Sequence, residues 1–175
     1  MKNSTLIVAL LLAFSGAFGQ TFTLDWGSSF SPAWATGTTS RTANDVGGSG
    51  RNISVSSAIT GSGSLNSGYP FVNNNYSSSG TFAYRVQGST DAIVYGQNLG
   101  NRTSYNTITL TFSQPVQNIT FRICDIDRPA AGGSPYSYLD QMTITGSGPT
   151  GALTPTLTKF NAASNITTVA ANVAT

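Results

Sequence analysis

Two residue types are missing altogether: the 175 residues contain no histidine and no glutamate. Their absence excludes a Ser-His-Asp triad, a Cys-His pair and histidine-ligated zinc built from this chain alone. Six aspartates are the only side-chain carboxylates. Two of them could in principle form the carboxylate pair of a glycoside hydrolase, but nothing in their spacing asks for that. Cysteine occurs once, as Cys124, so no intrachain disulfide can form. Stability must then come from the core, alone or helped by a metal. With Ile123 and Ile126 close by, Cys124 reads as a small buried strand residue and not as a reactive thiol. Charge is also scarce, at 8% of residues against about 25% in ordinary domains. The formal net charge is +2, and the arginines are scattered from Arg41 to Arg128, so no basic patch for nucleic acid can be read. The glycine-rich Gly47-Gly48-Ser49-Gly50 lacks the Lys-Ser/Thr ending of a phosphate loop and reads as turn.

Long apolar runs are absent after the N-terminus. The chain opens with Lys2, an apolar stretch from Leu6 to Phe14, and small residues ending Ala17-Phe18-Gly19 before Gln20. That order predicts a cleavable signal peptide over residues 1–19. The stretch is shorter than the roughly 20 apolar residues a membrane span needs, and no later segment approaches that length. The expected product is secreted or held at the cell surface, without membrane insertion of the mature chain. Residues 20–175 are expected to form a single domain.

What is present is alternation. Phe22, Leu24 and Trp26 form one period-two stripe, and Ile53, Val55 and Ile59 another. Phe82, Tyr84 and Val86 follow. The continuous Ala92-Ile93-Val94-Tyr95 predicts a strand covered on both faces. Ile108, Leu110 and Phe112 alternate with threonines, a pattern that could suggest a flat ice-binding face but is ordinary in a single strand. Ile119, Phe121 and Ile123 continue after the turn Ser113-Gln114-Pro115, followed by Met142 and Ile144. Pro155, between Leu153 and Leu157, belongs on an edge strand or outside the sheet. Thr60 to Ser67 and Asn73 to Gly80 read as loops by composition, and helical periodicity is missing after the signal segment. The prediction is an all-β, antiparallel two-layer sandwich of jelly-roll or immunoglobulin-like type. Ile166 to Ala174 looks like the opening of another strand region, so the sandwich is expected to be incomplete at its C-terminus and the chain to be the N-terminal piece of something larger, or a truncated copy of it.

The stretch Thr109-Leu110-Thr111-Phe112-Ser113-Gln114-Pro115-Val116-Gln117-Asn118-Ile119-Thr120-Phe121-Arg122-Ile123-Cys124-Asp125-Ile126-Asp127, with Asp140-Gln141-Met142-Thr143-Ile144 after it, resembles the N-terminal β-sandwich modules of large bacterial surface proteins. The signal ending Ala17-Phe18-Gly19-Gln20 is similar to that of secreted proteins of the Bacteroidetes group. The resemblance covers about 40 residues and implies adhesion or display, with further domains and often a sorting domain following in the parent proteins.

Asp125, Asp127 and Asp140 form the candidate metal site. Asp125 and Asp127 continue the core-facing parity of Ile119, Phe121 and Ile123, and Asp140 shares the parity of Met142 and Ile144. Three carboxylates converging at one end of a core need compensation, and calcium, which takes six to eight oxygens, fits that need. The competing reading has these aspartates accept backbone N–H groups in a polar loop or pair with Arg122 and Arg128. Trp34, Tyr136 and Tyr138, in loop-like sequence with Tyr69 and Tyr76, are candidate stacking surfaces for a sugar. Trp26 reads as core.

Three functions remain in order. The first is a non-catalytic module of an exported surface or matrix protein, acting in adhesion or as a spacer and stabilised by calcium. The second is a carbohydrate-binding module using loop aromatics, with extracellular polysaccharide or a surface protein as partner. The third is an aspartate-based glycoside hydrolase, ranked last for want of histidine, glutamate and a recognisable pocket.

Overall fold

The computed structural model describes residues 20–73, 91–121, 123, 141–158 and 168–174. Among them the architecture is all-β and antiparallel, with open sheets consistent with a β-sandwich. The strands are β1 (Ser40–Ala43), β2 (Ile53–Thr60), β3 (Gly63–Leu65), β4 (Phe71–Asn73), β5 (Ala92–Val94), β6 (Gln97–Leu99), β7 (Tyr105–Phe112), β8 (Met142–Thr143), β9 (Gly146–Gly148), β10 (Gly151–Leu153), β11 (Val169–Ala170) and β12 (Val173–Ala174). One sheet runs β1-β2-β7 and another β11-β12-β8, with two-stranded ladders β3-β6, β4-β5 and β9-β10. No helix among the described residues is long and apolar enough to cross a membrane.

The β1-β2-β7 sheet is divided by parity. Directly paired residues share a face, so Ala43, Ile53 and Phe112 stand together, as do Arg41, Val55 and Leu110. The opposite face carries Thr42, Ser54 and Thr111, then Ser40, Ser56 and Thr109. It is a hydroxyl-bearing face, with Thr42 and Ser54 hydrogen-bonded to each other at 2.8 Å.

The core lies on the apolar face, toward the β1–β2 turn. Ala43, Val46, Ile53 and Val55 are buried with Phe30 and Trp34, and Leu24, Trp26, Val72, Ile93 and Phe112 pack against them. Val72 on β4 and Ile93 on β5 are direct cross-strand partners. The aromatic segment is thus packed against both the three-stranded sheet and the β4-β5 ladder. Val55 is fully buried, and burying such a side chain stabilises by about 1.5–3 kcal/mol. Further along the same face, Leu110 and Ile108 are exposed.

The β1–β2 connection is rigidly organised. Asp45 takes a left-handed conformation, with φ 47°, before a 3-10 turn over Val46–Gly48. Its Oδ1 accepts from the Gly50 N–H at 2.6 Å, while its own N–H donates to Asn52 Oδ1 at 3.0 Å. The glycines predicted as turn are turn, and Val46 is folded inward to seal the core.

Four expectations need correction. Phe22, Leu24 and Trp26 form no strand. Here local bonds replace a ladder: the Gly27 N–H donates to Asp25 Oδ1, the Asp25 N–H to Ser29 Oγ, and the Ser29 N–H to Asp25 O, each at 2.9 Å. Such short-range side-chain bonding competes with sheet formation. Ile119, Phe121 and Ile123 also lie outside any strand and are exposed, Phe121 at 58%. The chain leaves β7 through Pro115, which cannot donate to a ladder, and Asn118 turns it again with φ 54°. Third, the stretch from Thr60 to Ser67 contains β3, which pairs with β6. Fourth, the strand Ala92–Val94 is half-buried throughout and not fully covered. The strand region foreseen near the C-terminus is present: β12 pairs with β11 and with β8.

Candidate functional site

Trp34 is only 7% exposed and belongs to the core, so it offers no open platform. Its ring meets Phe30 edge-on, with centroids 5.1 Å apart, and Trp26 edge-on at 6.1 Å. Trp26 stacks on Phe30 at 5.8 Å with planes 16° apart. These are the offset and T-shaped arrangements that aromatic quadrupoles prefer. Segment 30–37 is tied to the start of β4 by the Gly37 N–H, which donates to Pro70 O at 2.8 Å. Tyr69 is half-buried and packs edge-on against Phe71 at 5.1 Å. Asp125, Asp127, Asp140, Tyr76, Tyr136 and Tyr138 lie outside the described residues. Among the described residues no group of three or more Asp, Cys, Glu or His could hold a metal ion.

Between the aromatic segment and the β4-β5 ladder lies a cavity of about 190 Å³, lined by Trp26, Gly27, Ala33, Trp34, Val72 and Asp91. Asp91 stands two residues before Ile93, so by strand parity it continues the core-facing row of β5. Its carboxylate rests against the Gly27 backbone, occupying the space a side chain at position 27 would need. Trp34 Nε1 and Asp91 Oδ1 are both buried and have no hydrogen-bond partner among the described residues. Leaving such a donor or acceptor unsatisfied costs about 1–3 kcal/mol, more for a charged group. The cavity is therefore walled by two tryptophans and one aspartate, held in place by the core itself.

A second, wider cavity of about 450 Å³ is lined by Asp25 and Asp45 with Thr23, Ser28, Ser29, Ser31, Asn44, Val46 and Gly47. Both aspartates already accept backbone N–H groups there. Asp45 is exposed, and the lining is largely hydroxyl and amide. A general acid of the glycosidase kind needs an apolar setting that keeps one carboxyl protonated, which this lining does not provide.

Asp91 and Gly27 escaped the sequence reading. The available signal was a carboxylate placed directly before an apolar strand run, where parity carries it toward the core. Trp26 was read as core, and it is also cavity wall. Comparison with protein-family models, curated proteins and solved structures finds no significant match, so this geometry has to stand on its own chemistry.

Proposed function

We propose that this chain is a non-catalytic module of an exported surface or matrix protein, and that it holds one unit of an extracellular polysaccharide in the Trp26–Trp34–Asp91 cavity. The observation that carries the reading is one small cavity walled by Trp26 and Trp34 with Asp91 beside them. A sugar ring offers an apolar face to indole and hydroxyls that can donate to a carboxylate. Pockets for drug-sized ligands run from about 300 Å³ upward, so the volume here suits a single monosaccharide unit. Export by the residue 1–19 signal, the charge-poor hydroxyl surface and the resemblance to bacterial surface modules support the adhesive setting. The hydroxyl-lined Asp25–Asp45 cavity and the lack of histidine and glutamate support a non-catalytic role.

The chain has two tryptophans, Trp26 and Trp34, and both line the cavity. Selectively excited tryptophan emission therefore reports on this site. Titration of the purified chain with soluble monosaccharides and oligosaccharides is expected to shift or quench the emission saturably. Trp26→Ala, which removes the less buried of the two indole walls, is expected to weaken binding. If the emission is indifferent to every sugar while the near-UV dichroism is native, the reading fails.

A further inference from the structure

Strand β7 is the outer strand of the β1-β2-β7 sheet, and its free edge is complementary to itself. The Ser113 N–H donates to Asn52 O at 2.9 Å, one step beyond the Ile53–Phe112 pair. Antiparallel ladders alternate, so the backbone groups of Tyr105, Thr107, Thr109 and Thr111 are directed at β2. Those of Asn106, Ile108, Leu110 and Phe112 point the other way, and among the described residues they have no backbone partner. Exposed edges of this kind are ordinarily blunted by charge, proline, a bulge or shortness. β1, at the opposite edge, is four residues long and carries Arg41. β7 is eight residues long, has no charged residue and no proline, and runs in unbroken register with β2. Its apolar row continues past Phe112 into Leu110 and Ile108, which are 36% and 43% exposed. The next apolar stripe in the chain does not cover it, because Ile119, Phe121 and Ile123 are themselves exposed and outside any strand.

We infer that β7 pairs antiparallel with β7 of a second copy of this chain, with Thr109 opposite Thr109 on a two-fold axis. Paired residues share a face, and hydrogen-bonded pairs must come from the outward-directed set. With the axis at Thr109, Asn106 meets Phe112 and Ile108 meets Leu110, so every outward N–H and C=O of both strands is bonded. An axis at Ile108 or Leu110 leaves one of those four residues of each copy without an equivalent partner. The Thr109 register also joins the exposed Ile108 and Leu110 of the two copies into one apolar patch and sets Thr107 beside Thr111 on the hydroxyl face. Two three-stranded sheets become one continuous sheet. A second copy is the occupant because the edge already supplies its own complement, in length, polarity and face. The contact is isologous, so it closes at two copies.

The purified full chain is expected to sediment at twice its monomer mass in the micromolar range. Thr109 is exposed in the single copy, so Thr109→Lys leaves the fold intact, as far-UV dichroism checks. In the pair it sets like charges on β-carbons about 4.5–5.5 Å apart, and association is expected to weaken about tenfold or more, with part of the loss recovered at high salt. In a Cys124→Ser background, Thr109→Cys treated with diamide is expected to give a covalent dimer. Thr107→Cys, which faces position 111 of the second copy, is expected to give none. A monomer throughout overturns the inference, and so does a dimer that Thr109→Lys leaves intact or that crosslinks equally from positions 107 and 109. A monomer whose Ile108 and Leu110 amides resist hydrogen exchange assigns the edge to another strand of the same chain, and overturns it too.

Discussion

The carboxylate of Asp91 lies against the backbone of Gly27, in the space a β-carbon there would occupy. Glycine at position 27 is what lets β5 bring an acidic group up to the turn that carries Trp26. Gly27→Ala is therefore expected to push Asp91 out of the cavity. Sugar titration should show a loss of about tenfold or more, and overpacking should cost about 1–3 kcal/mol in urea unfolding. Unchanged binding would mean that Asp91 does not contact the ligand.

Phe30 connects the two tryptophans, stacked on one and edge-on to the other. Phe30→Ala is expected to destabilise by about 3–5 kcal/mol, a large share of the roughly 5–15 kcal/mol that ordinary domains possess. Chemical denaturation followed by tryptophan emission measures it. A loss below about 1 kcal/mol would show that the aromatic cluster does not anchor the core.

Asp45 combines a left-handed backbone with a hydrogen bond from Gly50. Asp45→Gly removes the bond and also the β-carbon strained at positive φ, whereas Asp45→Ala removes the bond and keeps that β-carbon. The alanine variant is expected to be less stable than the glycine variant by about 1 kcal/mol, read from paired thermal melts. Equal midpoints would place the strain elsewhere in the turn.

Burial pushes the Tyr95 hydroxyl from 10.0 up to about 12, and that hydroxyl has no partner among the described residues. In the unfolded chain it loses its proton near 10, so from there upward the unfolded state holds fewer protons than the folded one and stability falls with rising pH. The contribution is complete below pH 10 and is lost through about pH 12. Tyr95→Phe is expected to flatten that alkaline decline relative to the parent, and to be neutral or stabilising at pH 7, where it removes an unsatisfied hydroxyl. An identical decline in both proteins would count against the buried assignment.

Much of the sheet was legible because strand alternation is a local property. The row Ile53, Val55 and Ile59 and the row Ile108, Leu110 and Phe112 read directly as β2 and β7, and the two strands pair. The same rule misled at Phe22–Trp26, where Asp25 and Ser29 supply the turn bonds, and at Ile119–Ile123, where Pro115 and Asn118 turn the chain away from β7. Alternation says that a segment could bury one face, but not whether a partner strand is there to receive it. Trp34 lies deeper than its polar, loop-like neighbours suggest for a related reason: its ring is drawn in by Phe30 and Trp26.

By itself the sequence determined that this protein is built from short antiparallel strands with an apolar and a hydroxyl face, and that histidine and glutamate chemistry is closed to it. Both follow from composition and from side-chain period, which need no knowledge of distant contacts. Only the tertiary structure decided that Trp26, Gly27, Trp34 and Asp91 share one cavity and that two of their polar atoms are left without partners. Those residues come from separate segments, brought together by packing between the aromatic segment and the β4-β5 ladder, and burial of a polar atom depends on what the whole fold places around it.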